Sequence, residues 1–179
     1  YDKIRMPADS PLRRSVVISN PLGEDTSVMR TTALPSMLEV LARNNNLSNE
    51  NVSLFELATV YLPDADSNKL PAEKKVLTLG AYGKTDFYAL KGVVDAILAD
   101  AGIKGEYTAC HDHPAYHTGR CAKVTAPDGT ELGILGQADP RTAANYGFDA
   151  PVLLAELAFD EIFAHAALDR HYHALPKYP

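Results

Sequence analysis

Cys110, His111, His113, His117 and Cys121 place two thiols and three imidazoles within a dozen residues, which makes this segment the first place to look for chemistry. Zinc takes four such donors in a tetrahedron, and a site with one open position activates water for hydrolysis. The spacings match none of the usual zinc templates, where ligands recur as close pairs separated by a longer loop. A metal-dependent hydrolase using the Cys110–Cys121 segment is one reading. The other is ordinary histidines beside thiols that stay reduced, with Cys121 an inert, partly buried one.

Four further features invite a functional reading and a plain one. Arg120 follows Gly119, and glycine lets backbone donors approach an anion, but the same guanidinium serves a structural salt bridge. Lys91-Gly92 near a helix start lacks the glycine-rich loop of a phosphate cradle. Glu56 interrupts an apolar strand and is expected to be a buried acid tied to a backbone or basic partner, with Arg30 as the candidate. His165, His171 and His173 sit on a helix end and its trailing segment, where the dipole favours a cation. No Ser-His-Asp or Cys-His arrangement is supported by spacing.

The elements that would carry these residues follow from periodicity. Ser15-Val16-Val17-Ile18 reads as a strand running into the turn at Asn20-Pro21-Leu22-Gly23. Leu34, Met37, Leu38, Val40 and Leu41 place apolar side chains on one helical face, with Pro35 in the first turn. Residues 52–61 are apolar on both faces except for Glu56 and read as a central strand. After a polar loop from Pro63 to Lys75, residues 76–83 read as a second strand, antiparallel to the first.

Asp86 is a good N-cap for a helix whose stripe is Phe87, Leu90, Val94, Ile97, Leu98 and Ala101, ended by Gly102. Strands are expected over 107–110, 121–125 and 131–137, the last two joined by a turn at Asp128-Gly129. A short helix fits 140–146. Residues 152–157 form another strand apolar on both faces, and Asp160 is placed to cap a helix through Phe163 and Ala166. Tyr1 to Leu12 is polar, with two prolines, and reads as a poor start for a core element. The order of elements argues an α+β fold with a largely antiparallel sheet.

The 179 residues suffice for one core, and no apolar run approaches the roughly 20 residues of a membrane helix. A net charge of -6 makes the average surface a poor match for a nucleic-acid backbone. Two cysteines are too few for a disulfide-stapled scaffold, so reduced thiols in the cytoplasm are expected. One domain is expected over 1–170, with 171–179 beginning a linker.

Asn20-Pro21-Leu22 followed by Ser27-Val28-Met29-Arg30-Thr31-Thr32-Ala33-Leu34-Pro35 resembles the "NPL…S.MR.SLLPGLL" signature of phenylalanyl-tRNA synthetase β subunits. Phe55-Glu56-Leu57 with Val60-Tyr61 is similar to that family's "FE.G.VF" strand, and Asp86-Phe87 through Leu90-Lys91-Gly92 to its "DF.DLKG" helix start. His113-Pro114-Ala115-Tyr116-His117 with Gly119-Arg120-Cys121-Ala122 is similar to "HP.RHPGR.A". Gly133-Ile134-Leu135-Gly136-Gln137 and Ala155-Glu156-Leu157 resemble its last two strands. The chain departs from the pattern at Ser36, where the family has glycine, and at Thr118, where it has proline.

The resemblance implies a class II aminoacyl-tRNA synthetase-like core, an antiparallel β-sheet flanked by helices, with the long helix and strand of motif 1 upstream of Tyr1. It implies a non-catalytic domain that partners the catalytic α subunit in an α2β2 heterotetramer. That holoenzyme uses ATP and magnesium and meets tRNA through other parts. Working class II cores bind ATP phosphates with an arginine on the motif 2 strand and another on the motif 3 helix, because fixed guanidinium donors stabilise phosphate charge. Here the corresponding segments are Ser53-Leu54-Phe55-Glu56-Leu57-Ala58 and 153–162, and neither contains an arginine. No catalytic, cofactor-binding or metal residue is therefore expected in this domain, and His113-Pro114 with His117 fall in a loop before a strand. A regulatory paralogue of a class II core remains the alternative alongside the hydrolase.

Overall fold

In a computed structural model, residues 1–64, 66 and 69–167 are described. The expected linker, 171–179, with His171 and His173, lies outside them. Six strands, β1 (Val52–Leu62), β2 (Ala72–Tyr82), β3 (Glu106–Ala109), β4 (Tyr116–Thr125), β5 (Glu131–Ala138) and β6 (Val152–Ala158), form one sheet in the order β1-β2-β6-β5-β4-β3. Every neighbouring pair is antiparallel. The expected α+β architecture holds, with one correction: β1 is an edge strand, and β6 and β5 are the central ones.

Helix α1 (Leu34–Asn46) lies on one face, called the front, where Leu34, Met37, Leu38 and Leu41 pack with Tyr82 and Leu154. Val40, grouped with them from the sequence, is 44 % exposed, since it falls off the stripe that the 3.6-residue turn aligns. Helix α2 (Phe87–Asp100) covers the back with Leu90, Val94 and Leu98 against Leu135, Leu153 and Leu157. Asp86 caps it through its carboxylate, which accepts from the Ala89 amide at 2.8 Å. α2 reaches across β5 and β6 and stops short of β1, so Phe55 and Leu57 on the back of β1 are 77 % and 51 % exposed.

Two shorter helices, α3 (Pro140–Asn145) and α4 (Phe159–His165), complete the layers. Asp160 does not cap α4. It lies inside the first turn, and its carboxylate accepts from the Lys75 amide at 2.8 Å, tying α4 to β2. Ile162 rather than Phe163 is the buried residue of α4.

The N-terminal residues belong to the core. Ile4 and Met6 are buried in the front cluster, and Arg5 pairs with Asp139 at 2.9 Å while donating to the Pro114 carbonyl. The strand expected at 15–18 is instead a single antiparallel bridge, Val17 opposite Val28, flanked by the Ile18 amide on the Ser27 carbonyl. Val17 is exposed, so this short pairing has no apolar face to bury.

Two glycines set how closely the strands approach. A Cβ at Gly136 would lie 2.5 Å from the Arg120 carbonyl oxygen and 2.8 Å from Cys121 Cα. At Gly133, φ is +149° and a Cβ would meet the Glu156 carbonyl at 2.4 Å. Only glycine permits β5 to lie this close to β4 and β6.

Candidate functional site

Register lines up one row of front-face side chains across five strands' worth of backbone pairing. Glu56 lies opposite Thr78, Thr78 opposite Glu156, Glu156 opposite Ile134, and Ile134 opposite Lys123. Two acids on one face of a sheet core demand partners, because an unpaired buried carboxylate is costly. Both partners come from the segment that leads into α1.

Arg30 donates from Nη2 to Glu56 Oε1 at 2.8 Å and from Nε to the Thr59 carbonyl at 3.0 Å. The expected Arg30–Glu56 pair therefore forms, although Glu56 is only half-buried, as its edge strand allows. Glu156 lies deeper. Its Oε1 accepts from the Ala33 amide at 2.6 Å, and both of its oxygens accept from Thr32 Oγ1 at 2.9 and 3.0 Å. Ala33 is the N-cap of α1 and offers no capping side chain, so Glu156 receives an orphan donor from across the fold. Burial raises the Glu156 pKa above the ordinary 4.5, opposed by the Ala33 amide, Thr32 and the charge of Arg30.

Beside this row opens a cleft of about 480 Å³. Its charged lining sets Lys74, Lys75 and Lys123 against Glu131, Glu156, Asp160 and Glu161, and His113 also lines it. Lys123 pairs with Glu131 at 3.3 Å, and Lys75 donates to Thr59 Oγ1 at 2.7 Å. Among the described residues, no arginine lines it. A triphosphate entering here would meet four carboxylates and no guanidinium fork, a poor arrangement for phosphate recognition.

The Cys/His segment is not gathered around a point. His111 Nδ1 is within hydrogen-bond distance of the Thr118 carbonyl, and His117 accepts from the Gly119 amide at 3.0 Å. His113 packs edge-on to Tyr116 with ring centres 4.9 Å apart, and burial lowers its pKa. His117 lies within β4 rather than in a loop before it, because the strand begins at Tyr116. Among the described residues, no three His, Cys, Asp or Glu side chains group to hold a metal ion.

The remaining candidates have structural partners. Arg120 donates to Gln137 Oε1 at 2.7 Å, a hydrogen bond to a neutral side chain rather than the salt bridge expected. Lys91 pairs with Asp95 at 2.7 Å and lies 4.0 Å from the centre of the Tyr107 ring, whose hydroxyl donates to Asp95. These contacts clamp α2 to β3. His165 Nδ1 donates to the Glu161 carbonyl at 2.7 Å and its Nε2 pairs with Asp128 at 3.0 Å, which fixes the β4–β5 turn to α4. The residue that sequence reasoning missed is Glu156. Its signal was present, since it is the only charged residue in β6, the same anomaly that singled out Glu56 in β1.

Residues 1–159 match the family model described as the phenylalanyl tRNA synthetase beta chain CLM domain. The chain belongs to this family. It is 43 % identical over its whole length to a phenylalanine–tRNA ligase beta subunit from Clostridium acetobutylicum and 41 % identical to one from Clostridium tetani. It spans 23 % of the length of each of these relatives. The crystal structure of pyrrolysyl-tRNA synthetase from Desulfitobacterium hafniense superposes with a TM-score of 0.69 at 18 % identity, covering 89 % of this chain and 56 % of that one. That likeness confirms the class II synthetase fold.

Within this CLM domain, the residues that carry the family resemblance have physical tasks. Arg30, Thr32 and Ala33 of the first signature are held by Glu56 and Glu156 of two later ones. Asp86 caps α2, Lys91 clamps it, and Gly133 and Gly136 let three strands close up. Leu22 is fully exposed, and nothing in the structure explains it.

Proposed function

We propose that this domain is a non-catalytic structural core of a phenylalanine–tRNA ligase β subunit, paired with the catalytic α subunit in an α2β2 heterotetramer. ATP, magnesium and phenylalanyl transfer to tRNA belong, in this reading, to the α subunit and the assembled holoenzyme. The work is cytoplasmic, in keeping with two free thiols and with no helix among the described residues long and apolar enough to cross a membrane.

One observation carries the reading. The front face keeps the class II sheet but assigns its two acids, Glu56 and Glu156, to holding the approach to α1, and among the described residues it offers no arginine in the cleft. A face built this way maintains a shape and does not stabilise phosphate charge. Co-expression with a phenylalanyl-tRNA synthetase α subunit tests it. The β subunit carrying this domain should co-purify with α at equal stoichiometry and with a mass near that of two αβ pairs. Monomeric elution of both chains would count against the reading.

A further inference from the structure

We propose that Cys110 and Cys121 form a reversible disulfide modification site that a peroxide closes. Ala109 lies opposite Ala122 in the β3–β4 ladder, so the next facing pair is Cys110 and Cys121, and the Cys110 amide donates to the Cys121 carbonyl at 2.9 Å. Facing residues in an antiparallel ladder hold their Cα atoms about 4.5–5.5 Å apart. A disulfide spans Cα separations of roughly 4.4–6.8 Å. Both side chains are buried in the front cluster and both are free thiols.

At rest the pair is protected. The Cys110 thiol donates to the Asp112 carboxylate at 3.3 Å, and burial, reinforced by Cys110, raises the Cys121 pKa. Access comes from the fold's margin. β3 is a four-residue strand at the edge of the sheet with mostly exposed side chains, and Cys110 immediately follows its last residue. Edge strands this short open locally at low free-energy cost, which uncovers Cys110 first.

The chemistry balances with hydrogen peroxide as the oxidant. The Cys110 thiol gives up its proton, the thiolate attacks one peroxide oxygen, the O–O bond breaks, and sulfenic acid forms while the departing hydroxide takes up that proton as one water. Cys121 sulfur then attacks the Cys110 sulfur, the S–O bond breaks, and the departing hydroxide leaves as a second water with the Cys121 proton. Two thiols lose two electrons to one peroxide.

Trypsin offers a direct readout, because cleavage after Lys104, Arg120 and Lys123 separates the two cysteines into peptides 105–120 and 121–123. The intact β subunit is treated with a small excess of hydrogen peroxide, quenched with N-ethylmaleimide and digested without reductant. The expected product is 105–120 joined to 121–123, abolished by dithiothreitol and absent from Cys110→Ser and Cys121→Ser proteins. Recovery of both cysteines as alkylated thiols, oxidation of either alone to sulfinic acid, or a link between two molecules would overturn the proposal.

Discussion

The Ala33 amide donates to Glu156 Oε1 at 2.6 Å, joining residues 123 positions apart at the point where α1 meets the centre of the sheet. A helix start with no capping side chain is completed by a carboxylate from β6, and Thr32 adds its hydroxyl to the same acid. The contact explains why an acid occupies a strand that is otherwise apolar.

Glu156→Ala should destabilise the domain by about 3 kcal/mol, since it leaves the Ala33 donor without its partner and opens space in the core. Glu156→Gln keeps an acceptor for the amide and should cost about 1 kcal/mol. Urea denaturation of the three proteins at neutral pH gives the order. Equal losses for both variants would show that the hydrogen bond is not what Glu156 contributes.

The pH dependence of stability follows from the raised Glu156 pKa. A carboxyl whose folded pKa lies above its unfolded value near 4.5 stabilises the fold fully below that value. The contribution is lost as pH rises through the folded pKa. The stability of Glu156→Gln relative to the parent should therefore improve on going from pH 4 upward, then level off. Denaturation midpoints across a pH series check the slope.

His165 titrates in the opposite charge sense with the same direction of linkage. The Glu161 carbonyl and then Asp128 raise its pKa above the ordinary 6.5. Its favourable contribution is complete below that unfolded value and disappears as pH rises through the folded one. NMR should find the His165 imidazole titrating above 6.5, and Asp128→Asn should bring it part of the way back. Asp128, held down chiefly by the Thr130 amide and also by His165, should ionise near about 2.

Gly136→Ala should cost about 2–3 kcal/mol, because the new methyl meets backbone on β4 and no side chain can swing aside. Chemical denaturation measures it. An unchanged midpoint would mean that the β4–β5 spacing is softer than the contacts imply.

Much of the fold was legible because its helices and inner strands obey simple periods. The α2 stripe from Phe87 to Ala101 and the Asp128-Gly129 turn are examples where local pattern and tertiary packing agree. The edge position of β1 was not legible. Phe55 and Leu57 make its back face read as buried, yet α2 does not reach them. Ile4 and Met6 escaped notice because isolated apolar residues among polar ones carry no period, and their burial depends on contacts with distant residues. The Arg30–Glu56 pair was within reach because an acid in an apolar strand needs a cation, whereas Glu156 is satisfied by a backbone amide that no sequence pattern marks.

Isothermal titration of the domain with Mg-ATP tests the central claim most directly. A cleft that no arginine among the described residues lines, and that Glu131, Glu156, Asp160 and Glu161 face, should give no saturable heat at millimolar nucleotide. Saturable binding weakened by Lys123→Ala would contradict the account and restore a nucleotide site to this face.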